Sequence, residues 1–154
     1  MNYYFLEKDL TALADKIEDY RRRILQQYAV NAEATDQSSE TYHDNYGYEE
    51  GMRQVAMMID KMQELSALKV NAKVVTPQSG SDRVRIGSKV TVEDLSNGEQ
   101  LTYKIGSYMC LQPDEGEISY HSPIAKILLE ARVGDEKCDK IGSVERCFRI
   151  LGIE

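Results

Sequence analysis

The stretch Leu6-Glu7-Lys8-Asp9-Leu10-Thr11-Ala12-Leu13-Ala14-Asp15-Lys16-Ile17-Glu18-Asp19-Tyr20-Arg21-Arg22-Arg23-Ile24 decides how the N-terminal half of the chain folds. Its apolar positions Leu6, Leu10, Leu13, Ile17, Tyr20 and Ile24 alternate steps of four and three, which keeps one narrow stripe on a single helix face. This is a coiled-coil seam. A second stripe runs Tyr48, Met52, Val55, Ile59 and Met62, with Leu65 and Leu68 beyond, and no proline interrupts either run. Two stripes joined by a short polar connection predict an antiparallel helix pair, because the connection returns the chain beside itself. A helix from Leu6 to about Asn31 would be roughly 40 Å long at about 1.5 Å per residue, carrying the connection far from the helix base.

The connection is acidic. Between Arg23 and Arg53 there is no lysine or arginine, yet Glu33, Asp36, Glu40, Asp44, Glu49 and Glu50 all fall there. One reading is a solvated loop, with Thr41 and Asp44 forming a capping-box-like start to the second helix. The other is a carboxylate tip able to coordinate a hard cation such as Mg²⁺, which prefers oxygen ligands; a tip with one or two ligands would complete a site elsewhere. Arg21, Arg22 and Arg23 precede the tip by a few turns. They either pair with Glu18 and Asp19 or reach a phosphate from the side of the hairpin.

Beyond the helices, Thr76-Pro77-Gln78-Ser79-Gly80-Ser81-Asp82 concentrates turn residues and predicts a linker. The division expected is a hairpin over 1–75, a linker over 76–82 and a second domain over 83–154. That domain has short β-rich runs: Val84-Arg85-Ile86, Lys89-Val90-Thr91-Val92, Leu101-Thr102-Tyr103-Lys104-Ile105 and Cys147-Phe148-Arg149-Ile150-Leu151. Gly87-Ser88, Asn97-Gly98 and Gly142-Ser143 separate them, and Asn97-Gly98 is a hairpin signal. Ser122-Pro123-Ile124-Ala125-Lys126-Ile127-Leu128-Leu129 predicts one helix, with Ser122 as N-cap and Pro123 in its first turn. The fold class is α+β: a helical hairpin followed by a small antiparallel sheet with one short helix.

The chain has 154 residues, a formal charge of -7 and a pI near 5.0, which argues against holding naked nucleic acid by phosphate neutralisation. A protein partner or a metal ion fits better. No apolar run approaches the roughly 20 residues that cross a bilayer, and Met1-Asn2-Tyr3-Tyr4 lacks a signal-peptide layout, so the expected location is cytoplasmic. The odd count and wide spacing of Cys110, Cys138 and Cys147 predict reduced thiols rather than a disulfide frame or zinc site.

Several segments, in order, resemble the C-terminal domain of the Gre transcript-cleavage factors. They are Ile86-Gly87-Ser88-Lys89-Val90-Thr91-Val92, Pro113-Asp114-Glu115, Ile118-Ser119-Tyr120-His121-Ser122-Pro123-Ile124-Ala125 and Val133-Gly134-Asp135-Glu136, followed by the closing strand. The resemblance implies a coiled-coil hairpin joined to an FKBP-like domain that grips bacterial RNA polymerase at the rim of its secondary channel. It points to Ser122 and Pro123 as contacts, with Asp114 and His121 beside them; His121 stands where the family more often has Asp or Asn. It also implies a hairpin tip that helps the polymerase hold its second Mg²⁺, with Asp44-Asn45-Tyr46-Gly47-Tyr48 resembling the family's Glu-Asn-x-x-Tyr segment. Thr41 then falls where the family has Asp, so Asp36 or Glu40 is the candidate to act with Asp44.

On this reading the chain is a monomeric accessory factor, not an enzyme. It works on the transcribed DNA complex, has no membrane partner, meets nascent RNA only inside the polymerase and shares Mg²⁺ with the polymerase active site. A channel regulator that docks without cleaving is the alternative. A free prolyl isomerase would need tyrosines in its pocket, since tryptophan is absent and Phe5 and Phe148 are the only phenylalanines. A coiled-coil adaptor would leave the ordered C-terminal motifs without a role.

Overall fold

A computed structural model describes residues 1–37 and 46–154, with backbone only for 34–37. The chain divides into two compact units: Met1–Thr11 with Ala72–Glu154, and Ala12–Asn71.

The helical unit follows from the two stripes. Helix α1 (Glu7–Gln37) and helix α2 (Tyr46–Val70) supply it. Leu13, Ile17 and Ile24 of the first seam are buried, as are Val55 and Leu65 of the second, while Tyr48 is exposed. Continuing the seam by seven residues from Ile24 reaches Asn31, which is only 3% exposed. Opposite it stands Gly51, where a Cβ would lie 2.1 Å from Asn31 Oδ1. The glycine costs helix propensity, and its missing side chain lets the buried amide fit.

The other unit is built on a five-stranded sheet. Strands β3 (Lys89–Asp94), β4 (Gln100–Gly106), β5 (Glu117–Ser119), β6 (Glu136–Ile141) and β7 (Val144–Ile153) lie in the order β5-β4-β3-β7-β6. Pairing is antiparallel, as expected, except at one edge, where β5 runs parallel to β4. The parallel pair arises because the connection from Ser107 to Gly116 carries the chain back along the sheet before β5 begins. Helix α3 (Pro123–Leu128) puts Ala125, Ile127 and Leu128 into the same core as Val90, Val92, Ile105, Phe148 and Ile150. Alternation along the strands sorts these side chains to one face.

Three expectations change. Val84-Arg85-Ile86 is not a strand: Val84 is fully buried and exchanges backbone hydrogen bonds with Glu130 and Ala131 instead of joining the sheet. The compact units also do not follow the 1–75, 76–82 and 83–154 division. Strand β1 (Tyr3–Phe5) pairs in parallel with β2 (Ala72–Val74), so both ends of the expected hairpin domain belong to the sheet unit. Within 76–82, Pro77 lies against Gly87, whose positive φ of 95° suits glycine and whose Cβ would approach Pro77 to 2.8 Å. Finally, Cys138 and Cys147 are joined by a disulfide, with Cα atoms 4.1 Å apart, rather than reduced. They face each other across the β6-β7 hairpin, which sequence spacing alone did not reveal.

Candidate functional site

The residues singled out for partner binding flank β5. At its far end, Ser122 has an extended backbone, with φ of -68° and ψ of 153°, and its Oγ accepts a hydrogen bond from Ala125 N–H at 3.3 Å. Pro123 follows at the start of α3, where the missing N–H costs nothing. The cap makes a tight, preorganised corner, and Pro123 and His121 are not buried within it. His121 N–H donates to Ser119 Oγ at 3.1 Å, and its ring lies 5.5 Å from that of Tyr108 and 6.4 Å from that of Tyr120. A ring at this position therefore has aromatic neighbours that an Asp or Asn would not use.

Asp114 precedes β5, so the strand separates it from the Ser122 corner. It accepts from Lys104 and lies 3.5 Å from Lys8 Nζ. The hydrogen bond from Lys104, then the positive charges of Lys104 and Lys8, hold its carboxyl below the usual carboxylate range. Lys8 also donates to Glu117 Oε2 at 2.8 Å and to Gln112 C=O at 2.7 Å. Asp114 is thus a charged member of a local network.

Beside that network lies a buried carboxylate that periodicity did not flag. Asp9 is fully buried and accepts from Ser107 Oγ at 2.6 Å, Leu111 N–H at 3.0 Å and Gln112 N–H at 3.1 Å. Ser107 Oγ in turn accepts from Leu6 N–H at 2.8 Å. These bonds tie the first turn of α1 to the 107–112 loop, and satisfy a group whose burial would otherwise be costly. The sequence hint was an acid at the first turn of a helix, but that placement is equally common on solvated helices.

Along the helical unit, Arg21 lies 3.5 Å from Glu18, Arg22 pairs with Asp19, and Arg23 sits 3.9 Å from Asp19 and over the Tyr20 ring. These are exposed one-turn pairs, each worth little. With Leu25, Gln26 and Ala29, Glu18, Arg21 and Arg22 line a shallow surface groove of about 460 Å³. Glu40, Thr41 and Asp44 lie outside the described residues; Asp36 falls within α1, but its side chain is not among those described. Among the described residues the one group of three potential metal ligands is Cys138, Glu145 and Cys147, whose sulfurs are bonded to each other. It does not suit Mg²⁺, which takes oxygen ligands.

A further cavity of about 590 Å³ is lined by Tyr4, Val75, Thr76, Gln78, Arg85, Ile86, Ser88, Tyr120, Leu129 and Glu130. No local motif announces it, because its walls come from five separated stretches of chain.

Residues 78–154 match the family described as "Transcription elongation factor, GreA/GreB, C-term". The chain is 33% identical over 112 residues to transcription elongation factor GreA of Geobacillus kaustophilus, covering 72% of this chain and 71% of that one. It is 36% identical over 93 residues to GreA of Mesomycoplasma hyopneumoniae, where the match covers 60% of this chain and spans 58% of the length of that relative. The crystal structure of GreA factor homolog 1 of Thermus thermophilus aligns with 100% of this chain and 99% of its own at 25% identity, with a TM-score of 0.45. The family match takes in the Ser122-Pro123 corner and half of the chain, and the identity to GreA extends over more than two thirds of that protein; the chain belongs to the GreA/GreB family of transcription elongation factors.

Proposed function

We propose that the protein is an RNA polymerase-binding elongation factor that docks through the Ser122-Pro123 corner, inserts its hairpin into the secondary channel and stimulates Mg²⁺-dependent cleavage of backtracked RNA. The observation that carries the reading is the family match over 78–154, which contains a capped, accessible helix start at the position expected to meet the polymerase. The protein would act as a monomeric cytoplasmic accessory factor, the polymerase active site performing the chemistry. Arg21, Arg22 and Arg23 would lie near nascent RNA, exchanging their weak one-turn pairs for phosphate contacts at small cost.

At the tip, Asp44 with Asp36 or Glu40 would lend carboxylate oxygens to a Mg²⁺ that the polymerase already ligates. Bound there, Mg²⁺ supplies charge neutralisation and an activated water. The non-cleaving regulator is the second reading, and Thr41 favours it, since a neutral hydroxyl stands where the family carries an Asp.

The deciding assay adds the purified protein to a stalled polymerase complex with backtracked RNA and reads short 3′ fragments over a Mg²⁺ series. Cleavage above polymerase alone is expected, with Asp44→Asn lowering it about 10- to 100-fold while affinity stays nearly unchanged. Absence of fragments at every Mg²⁺ concentration selects the non-cleaving regulator. Docking is tested separately, by polymerase affinity of folded Ser122→Ala and Pro123→Ala variants, where a loss of about tenfold is expected for at least one. Unchanged binding in both removes the corner as the interface.

A further inference from the structure

The Gly142-Ser143 turn sets the register of the β6-β7 hairpin: Ile141 pairs with Val144, Lys140 with Glu145, Asp139 with Arg146 and Cys138 with Cys147. Counting outward from the turn, pairs alternate between bonded and non-bonded rungs, and Cys138-Cys147 falls on a non-bonded rung, where side chains come closest. Phe148 and Ile150 point into the core, so Cys147 points to the opposite, solvent face. The disulfide therefore crosses the open face of the sheet, with Cys138 exposed and Cys147 partly covered.

The two sulfurs are not equally open to attack. Thiol-disulfide exchange proceeds through a thiolate that attacks one sulfur and displaces the other, so for a given attacking thiol the choice of sulfur depends on access to it and on the leaving thiol. Cys138 lies on β6, the edge strand of the sheet among the described residues. Cys147 lies on β7, whose other side is occupied: Leu95 N–H donates to Cys147 C=O at 3.0 Å and β3 continues alongside. A carboxylate oxygen of Glu145 and both sulfurs fall within 4.8 Å of one another, and that negative charge disfavours a pair of adjacent thiolates.

We propose that Cys138 and Cys147 form a reversible thiol-disulfide site on the open face of the sheet, with Cys138 the sulfur that exchanges with an external thiol. In the reducing direction, a thiolate of a small dithiol attacks Cys138 Sγ, giving a mixed disulfide and releasing Cys147 as thiolate. The second thiol of the reductant then attacks its own bound sulfur and releases Cys138. The reductant leaves as a cyclic disulfide, having given two electrons and two protons to the protein pair. Oxidation runs the same steps backwards with a low-molecular-weight disulfide such as oxidised glutathione as the electron acceptor. In a factor acting on RNA polymerase, an argument that rests on the function proposed above, the site would meet a reducing thiol pool, where disulfides are transient rather than structural.

Cys110 supplies an internal contrast. Burial, and then the charges of Glu117 and Asp9, push its thiol up to about 11, so it carries little thiolate at neutral pH.

The test uses the full chain without polymerase, so its outcome is independent of the transcription reading. The protein is equilibrated in glutathione buffers from fully oxidised to fully reduced, quenched with iodoacetamide and read by intact mass and peptide mapping. Cys138 and Cys147 are expected to gain and lose their thiols together within the series, while Cys110 is not drawn into a disulfide. Cys147→Ser should take up one glutathione on Cys138, whose thiolate attacks oxidised glutathione and releases one reduced glutathione, and Cys138→Ser should take one up on Cys147 about tenfold more slowly, reflecting the poorer access of an external sulfur to Cys147. A pair that stays bonded in excess reduced glutathione, or stays reduced in oxidised glutathione alone, overturns the proposal. Equal uptake by the two single-cysteine variants overturns the assignment of Cys138 as the exchanging sulfur.

Discussion

In the helical unit the buried side chains Leu13, Ile17, Ile24, Val55 and Leu65 fall on spacings that can be counted along the chain. In the sheet unit, by contrast, Val84, Val92, Leu128 and Phe148 come from separate stretches and meet in one cluster. A linear seam distributes its stability along the helices, whereas a single cluster makes each member depend on distant parts of the chain. The exceptional positions differ too. The helical unit tolerates a buried Asn31 by removing the side chain opposite, at Gly51, while the sheet unit buries Asp9 by surrounding it with donors.

The largest expected effect lies in the cluster. Phe148→Ala removes a fully buried ring from the cluster that also holds Val92 and Leu128, and should cost about 3–5 kcal/mol in denaturant unfolding of the sheet unit. If the helical unit keeps its far-ultraviolet helix signal after the sheet's near-ultraviolet signal is lost, the two interiors are energetically separate. A single coincident transition would break the contrast.

Asp9→Ala comes next. It leaves Leu111 N–H, Gln112 N–H and the Ser107 hydroxyl without their shared acceptor, at a cost of about 3 kcal/mol measured by denaturant midpoint. Hydrogen exchange should show the 107–112 amides losing protection first.

The seam is tested by one glycine against another. Gly51→Ala drives a Cβ into Asn31 and should destabilise by about 1–3 kcal/mol although alanine is the better helix former. Gly47→Ala meets nothing within 4 Å among the described residues and should be neutral or stabilise by up to about 1 kcal/mol. Thermal melts that rank the two the other way would show that propensity, not packing at Asn31, governs the hairpin.

The smallest effect is electrostatic. Asp94, buried at the end of β3, accepts from the Ser96 hydroxyl and N–H and from Arg146 at 2.9 Å. The Ser96 hydroxyl, the Ser96 backbone and then Arg146 hold its carboxyl below the usual range. A depressed carboxylate stabilises the fold above its unfolded pKa of about 3.9, and that stabilisation is lost as pH falls through the lower folded value. The difference in melting temperature between wild type and Asp94→Asn should be constant from neutral pH to about pH 5 and narrow below pH 4. A gap independent of pH would assign the Asp94 contribution to its hydrogen bonds rather than its charge.

The helical seams, the capped start at Ser122-Pro123, the strands β3, β4 and β7 and the order of the C-terminal motifs were legible in the sequence. Each rests on neighbours a few residues apart, where helix and strand periods apply directly. Val84-Arg85-Ile86 was misread for an instructive reason: a short β-branched run signals burial, and burial alone does not say whether a strand partner is available. Its partners, Glu130 and Ala131, lie far along the chain.

What only the tertiary structure decided are the pairings across long loops. The parallel match of Tyr3–Phe5 with Ala72–Val74 takes both ends of the hairpin segment into the sheet unit, and no local composition marks it. The donors around Asp9 are about a hundred residues away, so its burial reads from the sequence only as an acid in a first helical turn. The disulfide stands between the two cases. Cys138 and Cys147 are equidistant from Gly142-Ser143, so their apposition follows once that turn is known to close a two-residue hairpin. Local periodicity determined which segments form helices and strands; chain-distant closure, whose partners have no fixed spacing, decided which of their polar groups and sulfurs meet.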